Sequence, residues 1–303
     1  MPTRDRIAHS SVPSTLEAIG DGWTLSLLSA LLSGPRRFEE LAAGLGIPRS
    51  TLSTRLRHLV SHGLVEARAY RERPTRHAYA LSAAGASLLP VLALADAFDV
   101  THAGADPSLW HGDAAGHAVR AVAVCATCGE VVHARDMTAS YPDDLADESA
   151  TDADGAPTRG RATRARSTRK PLWRAREVLE DAWAAKVVAA LFMGEQRFTG
   201  LVEATQAAPN IVSERLQRLT DAQLVRGGPA YQLSPRGLAL YPLVVALIAY
   251  GDARRGHPSL ALTHRCGAAL RLRLRCASCG EGVLSSSVSF AMQVPPCTTP
   301  TRT

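Results

Sequence analysis

The chain carries one pattern twice, and this repeat constrains its fold more than any other property. An offset of 160 residues places Trp23 on Trp183, Asp21 on Asp181, Phe38 on Phe198 and Leu41 on Leu201. The same offset places Ser53, Arg55, Leu56 and Leu59 on Ser213, Arg215, Leu216 and Leu219, and Leu64 and Val65 on Leu224 and Val225. The offset then falls to 152, where Tyr79, Ser82, Gly85 and Pro90 meet Tyr231, Ser234, Gly237 and Pro242. At an offset of 151, "CATCGE" (125–130) meets "CASCGE" (276–281). Agreement in one order through several segments implies a tandem duplication, with eight residues missing from one segment of the second copy. A length of 303 residues accommodates two such units, each with its own core.

Within one copy, residues 22–33 place Trp23, Leu27, Leu28, Leu31 and Leu32 at helical spacing. Residues 38–46 read as a short second helix with Phe38 and Leu41 inward and Gly46 at its end. Pro48 suits the start of a third helix, whose inward face is Leu52, Leu56, Leu59 and Val60. Two period-two segments, 64–70 and 77–82, flank a Pro-bearing loop (71–76) and read as a β-hairpin. Ser82 can cap a last helix over 83–99, which Pro90 is expected to kink; Pro242 repeats the feature.

The order helix, helix, turn, helix, hairpin, helix is that of a winged helix-turn-helix unit. The fold class expected is therefore mainly α (α+β): two tandem winged helix-turn-helix domains, each followed by a small CxxC β-hairpin resembling half a zinc ribbon. The expected divisions are a first winged domain at 1–103, a CxxC hairpin at 104–137 and a linker at 138–172. A second winged domain with a shortened wing follows at 173–255, then a second hairpin at 256–291 and a tail at 292–303. The linker has few large apolar residues and splits into an acidic block (Asp143 to Asp154) and a basic one (Arg159 to Lys170), so it reads as disordered.

An ordinary surface helix favours long, helix-forming charged residues, whereas "IPRSTLSTRLRHL" (47–59) offers hydroxyls and arginines. In the major groove, Arg49, Ser50, Thr51, Ser53, Thr54 and Arg57 would face DNA. Arginine can bond guanine edges twice, and short hydroxyls allow close approach. Arg68, Arg71, Arg73 and Arg76 would let the wing hold the neighbouring backbone or minor groove. A formal net charge of +6, almost all of it arginine, agrees with a polyanionic partner. In the second copy the corresponding residues are Asn210, Ser213, Arg215 and Arg218, joined by Glu214, and the shortened wing keeps only Arg226. The first copy is thus expected to supply most of the affinity, the second serving as pseudo-dimer partner or weaker reader.

Each CxxC-Gly lies between period-two segments, a knuckle whose glycine permits a tight turn around a metal. In the second copy His264, Cys266, Cys276 and Cys279 are expected to form one structural zinc site. In the first, Cys125 and Cys128 lack a third cysteine, Ala115 standing near the place of Cys266; His111, His117 and His133 are candidate substitutes. Cys297 reads as a free thiol. Cysteine usage and an N-terminus without an apolar signal core point to the cytoplasm. The longest apolar run, 238–250, is too short to span a bilayer and reads as a buried or intersubunit helix.

The stretch from "IGDGWTLSLLSALLSGPRRFEELAAGLGIPRSTLSTRLRHLVSHGLVEARAY" through "YALSAAGASLLPVL" resembles the HxlR-type winged helix-turn-helix transcriptional regulators, and the resemblance extends to both repeats, about 19–99 and 179–251. It implies sequence-specific binding of double-stranded DNA in bacterial or archaeal gene regulation. It also implies dimerisation through the terminal helices, between chains or as an intramolecular pseudo-dimer. Some members sense electrophiles or oxidants with a cysteine before the first helix; Val12 stands there in this chain, and "RAREVLED" in the second copy has none. Two other classes remain in view. One is a CxxC thiol–disulfide protein, which requires the pair at a helix N-terminus. The other is a winged-helix interaction module without DNA. No P-loop, GxGxxG after a strand, HExxH or GxSxG occurs, so no enzyme is expected.

Overall fold

A computed structural model of the chain describes residues 2–72, 75–112, 116–141 and 175–291. The first copy opens with α1 (Thr3–Ala8), α2 (Val12–Ile19) and α3 (Gly22–Leu31). Asp21 starts α3: its carboxylate accepts from the Trp23 and Thr24 amides at 3.1 Å each, satisfying two of the donors a helix N-terminus leaves open. β1 (Arg36–Arg37), α4 (Phe38–Leu45) and α5 (Arg49–Ser61) follow. Gly46 ends α4 at φ +62°, a left-handed conformation natural to glycine. β2 (Val65–Glu72) and β3 (Thr75–Leu81) form the wing, with β1 added in the order β1-β3-β2.

Leu52, Leu56 and Leu59 of α5 are at most 1% exposed, as their spacing predicts. Val60 is 40% exposed instead, because one residue turns the helix by about 100° away from Leu59. The single kinked helix expected at 83–99 is two helices, α6 (Ala83–Ala86) and α7 (Leu89–Ala103). Pro90 lies in the first turn of α7, where its missing N–H costs no hydrogen bond, so it starts a helix rather than bending one.

Four short strands come next: β4 (Leu109–His111), β5 (His117–Ala118), β6 (Ala121–Cys125) and β7 (Met137–Ser140). Residues 138–140, which the sequence assigns to the linker, thus complete a strand. Residues 142–172 of the expected linker and the tail from 292 lie outside the described residues.

The second copy repeats the winged unit as α8 (Arg176–Leu179), α9 (Ala182–Phe192), α10 (Phe198–Thr205), α11 (Pro209–Asp221), β8 (Val225–Arg226), β9 (Gln232–Leu233), α12 (Pro235–Leu238) and α13 (Tyr241–Arg255). The repeat extends to atomic detail. Asp181 caps α9 through the Trp183 and Ala184 amides at 3.0 and 3.2 Å, as Asp21 caps α3. Ser82 and Ser234 each accept from an amide three residues on, Gly85 and Gly237, at 3.0 Å. A Cβ on either glycine would stand 2.1 Å from a backbone oxygen, that of Leu64 or of Leu224, so this helix start is compatible only with glycine. The wing is where the copies part: β8 and β9 have two residues each, against eight and seven in β2 and β3.

The two copies pack on each other. α13 lies against α7 and α2, α2 also touches α9, and α1 covers α9 and α10. Ser11 Oγ donates to the Ile248 carbonyl at 3.1 Å, and a Cβ on Gly251 would come within 2.5 Å of the Ser11 Cβ. Most of the apolar run at 238–250 therefore belongs to α13, an inter-copy helix, and one apolar core runs through both copies.

The last strands are β10 (Ala261–His264), β11 (Leu272–Cys276) and β12 (Val288–Phe290). They pair across the copies, β11 with β6, β10 with β7 and β12 with β4, all antiparallel. In the β6–β11 ladder Cys125 opposes Leu272 and Ala121 opposes Cys276, a register that maps onto itself when the copies are exchanged. The hairpin expected within each copy shrinks to single bridges, Val124–Val131 and Arg275–Gly282. An unpaired strand edge seeks a partner, and here the other copy supplies it.

Candidate nucleic-acid interface and metal clusters

α5 turns its apolar stripe into the core and leaves Arg49, Ser50, Thr54 and Arg57 exposed, with Thr51 and Ser53 half-buried at its sides. Arg49 reaches Glu39 at 2.6 Å, but both side chains are more than 60% exposed. Such a pair contributes under about 1 kcal/mol and yields readily to a phosphate. No described residue pairs with the Arg57 side chain. In the wing, Arg68 is exposed and bonded to Glu66 at 2.8 Å. Arg71 and Arg76 oppose each other in the β2–β3 register, and Arg73 lies outside the described residues.

α11 has the same buried stripe, Val212, Leu216 and Leu219, and exposes Asn210, Ser213, Glu214 and Gln217. Its arginines are placed differently from the sequence expectation. Arg215 is only 18% exposed and pairs with Asp181 at 2.6 Å and Glu214 at 2.8 Å. Arg218 also reaches Asp181, at 3.0 Å. Both guanidiniums thus brace the capping residue of α9. The first copy does the same with Arg55, 3.2 Å from Asp21. The signal was present in the repeat itself: Arg215 aligns with Arg55, which lies beside the buried stripe, and both have an aligned aspartate to meet.

The two knuckles are alike. The Cys125 and Cys276 amides donate to Glu130 and Glu281 carbonyls at 2.9 and 2.8 Å, while Gly129 and Gly280 donate back to the cysteine carbonyls at 2.8 Å. Both glycines take positive φ, +76° and +80°. The buried cysteine of each pair ends a strand, and the second is exposed.

Their neighbours are crossed between copies. Cys125 and Cys128 gather with His264 and Cys266, whereas Cys276 and Cys279 gather with His111 and His117; in each set the ligand atoms lie within 4.8 Å of one another. The single site expected from His264, Cys266, Cys276 and Cys279 is thus split between two clusters. The cause is strand pairing: β10 runs beside β7 and carries His264 to the first knuckle, and β4 runs beside β12 and carries His111 to the second. His117, on β5, completes the set that lacks a third cysteine, while His133 is exposed and in neither cluster. Ala115 and Cys297 lie outside the described residues.

The thiols are electrostatically distinct. Burial raises the Cys276 thiol, but backbone hydrogen bonds at Arg120, Cys279 and Ser278 and the His117 ring, 3.4 Å away, outweigh it and bring the value to about 6. Cys125 is also lowered, first by the Cys128 amide. Cys128 has a lowering amide bond at Glu130, yet burial and its neighbours Cys266 and Cys125 leave it raised. Neither CxxC opens a helix, the placement a thiol–disulfide enzyme uses; each first cysteine ends a strand.

Comparison with known proteins agrees with this architecture. The family model for HxlR-like helix-turn-helix proteins matches residues 18–103 and again 178–258. An uncharacterised HTH-type transcriptional regulator of Mycobacterium tuberculosis (strain ATCC 25618 / H37Rv) is 39% identical over 137 residues, covering 44% of this chain and 86% of its own length. Another, from Synechocystis, is 34% identical over 82 residues, 27% of this chain and 61% of its own. A third, from Bacillus subtilis, is 33% identical over 93 residues, 30% of this chain and 74% of its own.

Proposed function

Since the chain belongs to the HxlR-like helix-turn-helix family and is a sequence-specific DNA-binding transcriptional regulator, we propose that a single chain acts as its own dimer, with unequal DNA-reading halves. The observation that carries this reading is the packing of α13 on α7 and α2, which joins two winged units with separate recognition helices. In the first half α5 enters the major groove through Arg49, Ser50, Thr54 and Arg57, with Thr51 and Ser53 at its flanks, while Arg68, Arg71, Arg73 and Arg76 track the adjacent backbone. In the second half Asn210 and Ser213 are the contacts, Glu214 opposes phosphate, and Arg215 and Arg218 support the fold. The short β8–β9 wing leaves this half the weaker reader.

The test is salt-dependent binding to a duplex selected from genomic fragments. Arg49→Ala and Arg57→Ala are each expected to weaken binding and to reduce the log–log salt slope by about 1 if they touch phosphate. Asn210→Ala and Ser213→Ala should cost less. Equal losses from the two halves, or two chains on one site, would refute the unequal single-chain dimer.

The His/Cys clusters, we further propose, hold structural zinc. Thiolate with imidazole is the donor set zinc favours. The three imidazole–thiol separations, 3.3 to 3.4 Å, agree with the edge of about 3.5 Å that zinc–nitrogen and zinc–sulfur bond lengths impose on a tetrahedron. Elemental analysis of the freshly purified, reduced chain tests this, and absence of bound metal would remove it.

A further inference from the structure

We infer that the chain assembles two metal sites crosswise, each built from the knuckle of one copy and the side chains of the other, so that metal binding and the docking of the copies are one linked event. The inference rests on the zinc reading of the clusters and adds which residues belong together and what they join. One site is Cys125, Cys128, His264 and Cys266; the other is Cys276, Cys279, His111 and His117.

Three observations support the crossing. The donors converge: Cys128 faces His264 Nδ1 at 3.4 Å, Cys279 faces His111 Nδ1 at 3.3 Å, and Cys276 faces His117 Nε2 at 3.4 Å. The knuckle of one copy meets the donors of the other through strand pairs that join the copies, β10 with β7 and β12 with β4, so neither full set forms within one copy in this fold. Finally, His264 is 1% exposed, and its Nδ1 faces the Cys128 thiol. A buried imidazole nitrogen that meets only a thiol, a weak hydrogen-bond partner, is poorly satisfied by the protein alone, and a cation on that nitrogen is a stronger partner.

The consequence is thermodynamic. A ligand that binds only the docked arrangement stabilises that arrangement by mass action. One zinc would tie the β6 knuckle to β10 and the other the β11 knuckle to β4 and β5, and together they would lock the relative placement of the two winged units. The sites are also unequal. Three thiolates and a neutral imidazole around a divalent ion leave one net negative charge, whereas two thiolates and two imidazoles leave none.

Paired substitutions in the full chain separate crossed from uncrossed ligation, read as metal per chain by elemental analysis and by the visible spectrum after cobalt replaces zinc. The wild type is expected to hold two ions, one per cluster. Cys276→Ser with His111→Ala, both in one crossed site, should leave one ion. Cys276→Ser with His264→Ala, one from each, should leave none. If this last pair keeps one ion, the ligands are grouped within copies; the zinc reading then stands and the crossing falls. A wild type without metal overturns both. The ion retained by the same-site pair reports that a doubly substituted chain still folds, and residual cobalt spectra should show two thiolates where the first site is destroyed and three where the second is.

Discussion

The pairing of Arg215 with Asp181 yields a quantitative test of whether this arginine supports the fold or reads DNA. The side chains are 18% and 11% exposed, against 32% and 28% for the equivalent Arg55–Asp21 pair. An exposed ion pair contributes up to about 1 kcal/mol, while breaking a fully buried one costs about 3–5 kcal/mol. The Asp181–Arg215 pair lies between these limits, and Glu214 at 2.8 Å offers the arginine a second, exposed partner. A coupling of about 2 kcal/mol is therefore expected, against under about 1 kcal/mol for Asp21–Arg55. Double-mutant cycles isolate this term if the cap survives, and asparagine is as good a cap as aspartate. The cycles are Asp181→Asn with Arg215→Met and Asp21→Asn with Arg55→Met. Urea unfolding provides the free energies, followed by circular dichroism and by the fluorescence of Trp23 and Trp183, each two residues beyond a capping aspartate. DNA affinity per folded molecule should change less than about threefold in Arg215→Met, below the cost of a lost base contact. Equal couplings, or a tenfold loss of DNA affinity in fully folded Arg215→Met, would show that the arginine reads DNA after all.

Four further outcomes follow from the same geometry. Gly85→Ala and Gly237→Ala should each destabilise the chain by more than about 2 kcal/mol in urea unfolding, since the new methyl meets a backbone oxygen at 2.1 Å. Trimming the β2–β3 wing to the length of β8–β9 should preserve the fold, as the second copy demonstrates a short wing on this scaffold, yet lower DNA affinity and salt dependence in gel-shift titrations. Burial raises the Asp96 carboxyl above its ordinary range despite three hydrogen bonds at Ser108 and Leu109. Its contribution is thus full below the unfolded value of about 3.9 and lost as pH rises through the folded one, and Asp96→Asn should flatten that limb of the stability–pH curve. A slow chelator should draw metal in two phases, the neutral site of two cysteines before the anionic site of three, because thiolate binds zinc more strongly than imidazole does.

What the sequence disclosed is what one copy decides for itself. The buried stripes of α5 and α11, the caps at Asp21, Asp181, Ser82 and Ser234, and the glycines at 85 and 237 depend on local spacing and repeat at a fixed offset. Hydroxyls and arginines on the outer side of α5 were visible for the same reason. Arg215, expected at DNA, pairs instead with Asp181; its position beside Leu216 and its aligned aspartate already carried that information. The crossed clusters were hidden for a different cause. Period-two alternation shows that 121–125 and 272–276 are strands but says nothing of their neighbours, and only pairing between copies brings His264 to Cys128. Pro90 shows the same limit on a smaller scale, since its effect depends on whether a helix begins or continues at that residue.

Fusion of two copies changes what their symmetry can require. Two identical chains related by a two-fold axis present identical surfaces and suit a palindromic site. In one chain each half can drift while the inter-copy contacts keep the halves together. The differences are placed accordingly. At the centre, β6 and β11 still pair in a register that survives exchange of the copies, and both knuckles keep the same hydrogen bonds. At the periphery the wing has lost eight residues in one half, and Glu214 has entered one recognition helix. Positions that must meet across the pseudo-axis are constrained by each other, whereas positions facing outward are constrained by whatever they touch. A two-fold-symmetric partner would favour alike outer faces, so on the single-chain dimer proposed above their divergence predicts an asymmetric stretch of DNA as the preferred site.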